Sequence, residues 1–164
     1  MKKICSLREP KDRITSWHFN MLRKGKKEEQ KITEAFAIDY VESRIQKEYQ
    51  ALLDYDGAIH CISYEHMSKN PHETVKRLLT YLGVDASDTV VYKMVEDASF
   101  EEMTKRHSQG TSRKRGEEDT SVSLRKGITG DWKEHIAEDL ATYIDKVLRP
   151  LEKRVIEKYA VVTS

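Results

Sequence analysis

The sequence predicts an α/β fold in one domain: a parallel sheet flanked by helices. Three observations carry this. Residues 4–7 are a short apolar run that breaks at Glu9-Pro10 and passes directly into a helical pattern, a strand–turn–helix unit. Residues 58–64 are a second short run rich in β-branched side chains, opened by the turn Asp56-Gly57. A long helical stretch separates the two runs, so they are expected to pair in parallel, with the helix as crossover. At 164 residues the chain has the length of a single domain able to bury a core.

The elements follow in order. Pro10 suits a first helical position, and the pattern continues through Phe19. Arg8 stands at the carboxyl end of the first strand, the edge at which open α/β sheets bind ligands. Ser16 lies two turns into the helix. Each also has an ordinary reading: Arg8 as a surface ion pair with Glu9 or Asp12, Ser16 as a solvent-facing serine. Arg23-Lys24-Gly25-Lys26-Lys27-Glu28-Glu29 reads as a solvated charged connection. Ile32, Phe36, Tyr40, Ile45, Tyr49, Leu52 and Leu53 recur at roughly helical spacing, with Ile38 off the stripe. They predict one long amphipathic helix, or two shorter ones, from about Glu28 to Tyr55.

Tyr64-Glu65 falls at the carboxyl end of the second strand, the same edge as Arg8. Tyr64 reads equally as a strand-end aromatic and as a ligand contact. Asn70-Pro71-His72-Glu73 is a helix start with Asn70 as cap, Val75, Leu78, Leu79 and Leu82 form its apolar face, and Gly83 ends it. Residues 87–97 predict another short helix. Ser99-Phe100-Glu101-Glu102 is a capping box, and Ser99 reads as a cap or, since helix starts bind anions, as a ligand contact. Residues 107–123 lose apolar periodicity and read as a mobile loop, whose Arg113-Lys114-Arg115 run is offset by acidic neighbours. Leu124-Arg125-Lys126-Gly127-Ile128-Thr129-Gly130-Asp131-Trp132-Lys133 sets two cations against two glycines. Such a segment suits a phosphate or sulfate group, and reads otherwise as a charged turn before a helix. A closing helical pattern runs from Trp132 to Tyr159, with a break expected near Pro150.

Composition excludes several classes. Hydrophobic residues make up 38% and charged residues 35%, and the net charge of +1 gives no general case for nucleic acid or an anionic membrane. No apolar run is long enough to span a bilayer, and the start lacks the apolar stretch of a signal peptide, so a cytoplasmic protein is expected. Cys5 and Cys61 lie in strand-like runs and read as buried, reduced thiols rather than a disulfide or redox pair. The six histidines show no zinc-ligand spacing, and no metal site is expected.

In this order and spacing, Arg8-Glu9-Pro10-Lys11-Asp12 with Ser16, Tyr64-Glu65 before the Asn-Pro helix, Ser99-Phe100 and Arg125-Lys126-Gly127-x-x-Gly130-Asp131-Trp132-Lys133 resemble a known family. It is the soluble, cytosolic-type sulfotransferases, which use 3′-phosphoadenosine 5′-phosphosulfate (PAPS). The resemblance covers about residues 4–145 and corresponds to the family's carboxyl-terminal half. It implies a P-loop-kinase-like sulfotransferase fold truncated at its N-terminus, residues 1–164 forming a single partial domain. It implies PAPS as co-substrate and transfer of a sulfuryl group to a hydroxyl or amine acceptor whose identity is not readable. By resemblance, Arg8 and Ser16 hold the 3′-phosphate and Tyr64 contacts the adenine end. Ser99 stands at a nucleotide contact, with Phe100 beside it near the base. Arg125, Lys126 and Gly127 close over the 3′-phosphate.

The chain also departs from the family. No Gly-rich phosphosulfate loop precedes a helix, and His18 does not match the place of the family's catalytic histidine. Ala98 stands for a usual Thr, Ser123-Leu124 for an aromatic-Met pair, and the family's dimer motif is not matched at Ala137-Glu138 and Thr142. The expectation is therefore a chain that holds the nucleotide but is inactive or very weak alone. The alternative is a non-catalytic 3′-phosphonucleotide-binding or interaction module. A parallel sheet lacking a strand exposes an edge, so self-association or a covering partner is expected.

Overall fold

β1 (Lys3–Leu7) and β2 (Ile59–Ser63) pair in parallel, in register from Lys3 opposite Ile59 to Leu7 opposite Ser63. The structure is a computed structural model and describes residues 2–25, 31–107 and 110–163. Its architecture is the expected α/β one, a small parallel sheet with helices around it. Tyr64 does not end the second strand, as the sequence suggested, but opens helix α4 (Tyr64–Lys69). The cause is Ser63, whose hydroxyl accepts from the His66 N–H at 3.2 Å and turns the chain into a helix. Helix α1 (Pro10–Arg23) starts two residues after β1, with Pro10 in its first turn and the Glu9 carboxylate accepting from Asp12 N at 3.0 Å.

The crossover is a continuous helix in three parts: α2 (Glu34–Tyr40), a π turn (Val41–Ile45) and α3 (Gln46–Asp54). Thr33 caps its start, accepting from Phe36 N at 3.3 Å. The π turn explains the imperfect stripe. Tyr40 and Ile45 are five residues apart, one step too many for an α-helix, and a π turn brings both onto the buried face. The expected beginning near Glu28, and most of the charged connection before it, lie outside the described residues.

Helices α5 (Pro71–Leu82), α6 (Asp88–Asp97) and α7 (Phe100–His107) follow. Gly83 ends α5 at φ 74°, a left-handed conformation open to glycine. Asn70 precedes α5, but its side chain does not cap it; the amide lies 3.4 Å from His66 Nδ1. Between residues 110 and 130 there is neither helix nor strand; residues 108 and 109 of the predicted loop lie outside the described set.

The closing helix differs from expectation at its start and at Pro150. Trp132 belongs to a 3₁₀ turn (Asp131–Glu134), and α8 (Glu138–Tyr159) begins four residues after that turn and runs through Pro150 unbroken. Leu140, Ile144, Leu148 and Val155 are buried on both sides of the proline, while Pro150 itself faces solvent. Burial on both sides outweighs the hydrogen bond lost at the proline. The core joins Leu7 and Ile14 to Val41, Ile45 and Tyr49 of the crossover and to Ile144, Leu148 and Val155 of α8. At the far end of α8, the Tyr159 hydroxyl donates to Leu52 O at 2.6 Å. Lys158 Nζ donates to Leu53 O at 2.6 Å and Tyr55 O at 2.8 Å. Together they satisfy the last carbonyls of α3. Among the described residues, no helix is long and apolar enough to cross a membrane.

Candidate functional site

β1 and β2 both deliver their next residue to the same edge: Arg8 after Leu7, Tyr64 after Ser63. The Arg8 guanidinium lies over the Tyr64 ring at 4.5 Å, and its Nη2 donates to Ile128 O at 3.2 Å. Its Nε is buried with no hydrogen-bond partner, and among the described residues Arg8 makes no ion pair. The expected ordinary partners are engaged elsewhere. Glu9 pairs with Lys11 at 2.8 Å, and Asp12 faces the glycine turn.

That glycine turn, residues 125–130, is held from three sides. Asp12, only 1% exposed, accepts from Gly130 N at 2.7 Å and Trp132 N at 3.1 Å. Arg113 donates to the carbonyls of Leu124, Arg125 and Glu117, the latter two at 2.8 Å and 3.1 Å. Gly116 N donates to Lys126 O at 2.8 Å. Gly127, at φ 67°, lies against Phe100: a Cβ placed on it would fall 2.4 Å from Phe100 Cδ2. Only glycine allows backbone and ring to approach this closely.

Charge within the turn is arranged around Asp131, 4% exposed. Arg125 Nη2 hydrogen-bonds its Oδ2, and Lys126 Nζ its Oδ1 at 2.8 Å. Burial pushes the Asp131 carboxyl up, but the bonds from Lys126 and Arg125 outweigh it and hold the carboxyl below its usual range. Burial likewise presses Lys126 down, while Asp131 and Glu134 more than reverse this. Glu118 of the preceding segment pairs with Arg125 through Nη1 and approaches Lys126 at 3.7 Å. The Arg125 guanidinium also lies 4.1 Å from the Phe19 ring centre.

These groups surround a cavity of about 470 Å³. Arg8, Ser16, Tyr64, Phe100, Arg125, Lys126 and Gly127 all line it. Seven of the eight residues singled out in the sequence thus line one cavity. Ser99 does not: its hydroxyl accepts from Glu102 N at 3.3 Å and caps α7, while Ala98 and Phe100 on either side reach the cavity. Arg8, Ser16 and Arg125 also line an adjoining cavity of about 280 Å³, where Arg13 and Arg23 join them. Sequence reasoning missed Asp12, Asp131 and Arg113. Asp12 and Asp131 stood inside the quoted motifs, but nothing local marks the contact of Asp12 across the chain, and the pairing of Asp131 with Arg125 and Lys126 depends on the bend of the glycine turn. Asp131, Glu134 and His135 lie close enough to share a cation, yet Asp131 and Glu134 are already paired with Lys126.

The arrangement suits a ligand with a multiply charged anion beside a flat apolar group. Two guanidiniums, a hydroxyl and a backbone turn face the first, and Tyr64 and Phe100 the second. Residues 1–160 match the family model described as "Sulfotransferase domain". The chain is 27% identical to sulfotransferase 1E1 of Cavia porcellus over 157 residues, covering 88% of this chain and 52% of that protein. It is 23% identical to cytosolic sulfotransferase 3 of Arabidopsis thaliana over 163 residues, covering 90% and 52%. It therefore spans about half the length of these curated relatives. A crystal structure of mouse sulfotransferase SULT7A1 complexed with PAP superposes with a TM-score of 0.70 at 22% identity, over 97% of this chain and 62% of that one.

Proposed function

The chain belongs to the sulfotransferase family, and from that premise we propose that it binds the 3′-phosphoadenosine part of PAPS and of adenosine 3′,5′-bisphosphate in the larger cavity. Arg8 carries this reading. Its guanidinium is stacked on Tyr64, its Nε is buried without a partner, and it has no carboxylate among the described residues. Burying such a group is costly without an anion to receive its hydrogen bonds. A phosphate dianion fits it, with Ser16 and Arg125 lining the same cavity. Arg8 and Ser16 hold the 3′-phosphate, and Arg125, Lys126 and Gly127 close over it. Tyr64 and Phe100 face the adenine end, and Ser99 acts by capping the helix that presents Phe100. The PAP-complexed mouse structure supports the reading through shared fold.

When bound, PAPS supplies the sulfuryl group that passes to a hydroxyl or amine acceptor. The residues of this chain hold and orient the nucleotide that is left behind. The same proposal takes this chain alone to bind the nucleotide without appreciable turnover. A cytoplasmic location belongs to the same reading, as does covering of the sheet edge by a second copy or another chain. Ile4, 49% exposed on β1, supports the latter.

Calorimetry with adenosine 3′,5′-bisphosphate and AMP tests the proposal. Hydrogen bonds to a charged phosphate contribute about 1.5–3 kcal/mol each, so the bisphosphate is expected to bind at least about tenfold tighter. Equal binding of the two would sink the assignment. PAPS turnover above blank with a panel of acceptors would refute the inactivity of the chain alone.

A further inference from the structure

Cys5 and Cys61 are directly opposed across the parallel ladder, each at the centre of its strand. Both are free thiols. The sequence suggested two buried cysteines, but only Cys61 is buried, at 8% exposure; Cys5 is half-exposed to solvent. Parallel neighbours lie about 4.8 Å apart, within the separation of roughly 4.4–6.8 Å that a disulfide spans between Cα atoms. The register also places both side chains on one face of the sheet, side by side.

We propose that Cys5 and Cys61 form an oxidisable dithiol, a modification site that hydrogen peroxide converts to an intramolecular disulfide joining β1 to β2. The two sulfurs have unequal roles. The neighbouring Cys61 thiol and the nearby Arg13 cation hold the Cys5 thiol well below the usual range against the opposing effect of burial. Cys61, the more buried of the two, is pushed up by the neighbouring Cys5 and by burial. Cys5 is therefore the attacking sulfur and Cys61 the resolving one.

The chemistry balances. The Cys5 thiolate attacks one oxygen of hydrogen peroxide, the O–O bond breaks, and the departing hydroxide takes a proton as water. Cys5 is left as a sulfenic acid. The Cys61 sulfur then attacks the Cys5 sulfur, the S–O bond breaks, and the hydroxide leaves with the Cys61 proton as a second water. Two thiols lose two electrons in total and one peroxide is reduced to two waters. Disulfides of intracellular proteins are characteristically transient and redox-sensing, which suits a pair placed between strands rather than at a stabilising crossing. The bond would lock together the two strands whose next residues are Arg8 and Tyr64.

The test needs no assumption about the ligand. The reduced chain is titrated with hydrogen peroxide, quenched with N-ethylmaleimide and read by intact mass and peptide mapping. The expected product has lost two hydrogens, takes no alkyl group, yields a Cys5–Cys61 cross-linked peptide and regains both thiols with dithiothreitol. Cys61→Ser is expected to stop at a Cys5 sulfenic acid that dimedone traps. Cys5→Ser is expected to keep Cys61 reduced at the same peroxide dose. The proposal is overturned if both thiols stay alkylatable at doses that oxidise glutathione, if the wild-type chain gives only intermolecular disulfides, or if each cysteine oxidises independently to higher acids.

Discussion

Gly127→Ala is the sharpest perturbation of the site. The substitution adds one methyl group at φ 67°, where a non-glycine residue is disfavoured by roughly 1–2 kcal/mol. The methyl also lands 2.4 Å and 2.6 Å from Phe100 Cδ2 and Cε2, and 3.1 Å from Cγ. The base of a ring cannot swing aside as the tip of a lysine can, so the turn or α7 must move, at about 1–3 kcal/mol for such overpacking. Together they predict a loss of about 2–5 kcal/mol, divided between stability and binding. Gly130→Ala is the control. It has a similar φ of 82° but nothing within 4 Å of the new Cβ, so it should lose only the backbone share of roughly 1–2 kcal/mol. The assay is paired: urea denaturation of both variants, and calorimetry with adenosine 3′,5′-bisphosphate. Gly127→Ala should lose clearly more than Gly130→Ala, and adding Phe100→Leu to Gly127→Ala should recover part of the difference in urea midpoint. If the two glycine variants behave alike, the close approach of backbone to Phe100 is not what that position needs glycine for.

Three further outcomes are expected. Arg8→Ala should weaken bisphosphate binding by about tenfold or more, since one charge-assisted bond to phosphate contributes at least about 1.5 kcal/mol; Arg8→Lys should fall between, keeping the charge but losing the planar stack on Tyr64. An unchanged dissociation constant for Arg8→Ala would remove Arg8 from the site. Asp131→Asn should destabilise the chain by about 3 kcal/mol, because Arg125 and Lys126 lose their common partner. The Asp131 carboxyl is held low in the folded chain, so its contribution is full above the ordinary carboxylate pKa of about 4 and fades as pH falls below it. Urea midpoints measured down through that range should show a shallower acid limb in Asp131→Asn, and parallel limbs would contradict the assignment. Glu118→Gln should tighten bisphosphate binding by roughly 1.4- to 5-fold, since an exposed pair contributes about 0.2–1 kcal/mol and Glu118 competes with the phosphate for Arg125. Weaker binding in calorimetry would show that Glu118 supports the site instead.

Much of the architecture could be read from local pattern. The two apolar runs and the helix between them announced a parallel pair, and Arg8 and Tyr64 were legible as edge residues because they follow those runs directly. Even the π turn left a trace, the five-residue step from Tyr40 to Ile45. What stayed hidden depends on distant partners. Asp12 binds two amides of the glycine turn from the far end of the chain, and no neighbouring residue signals it. A break was expected near Pro150, because propensity says nothing about the burial of Ile144, Leu148 and Val155 around it. Ser99 read both as a cap and as a nucleotide contact; its hydroxyl caps α7, and which way its neighbours face is set by how α7 packs, so Phe100 and not Ser99 lines the cavity.

α8 supplies much of one side of the core. Without it, Leu7, Ile14, Val41 and Ile45 have no opposing layer, and the carbonyls at the end of α3 lose Lys158 and Tyr159. The edge that carries Arg8 and Tyr64 thus rests on a helix much further along the chain. Contacts of such long sequence separation are slow to form, so the edge takes its final geometry only once α8 has docked.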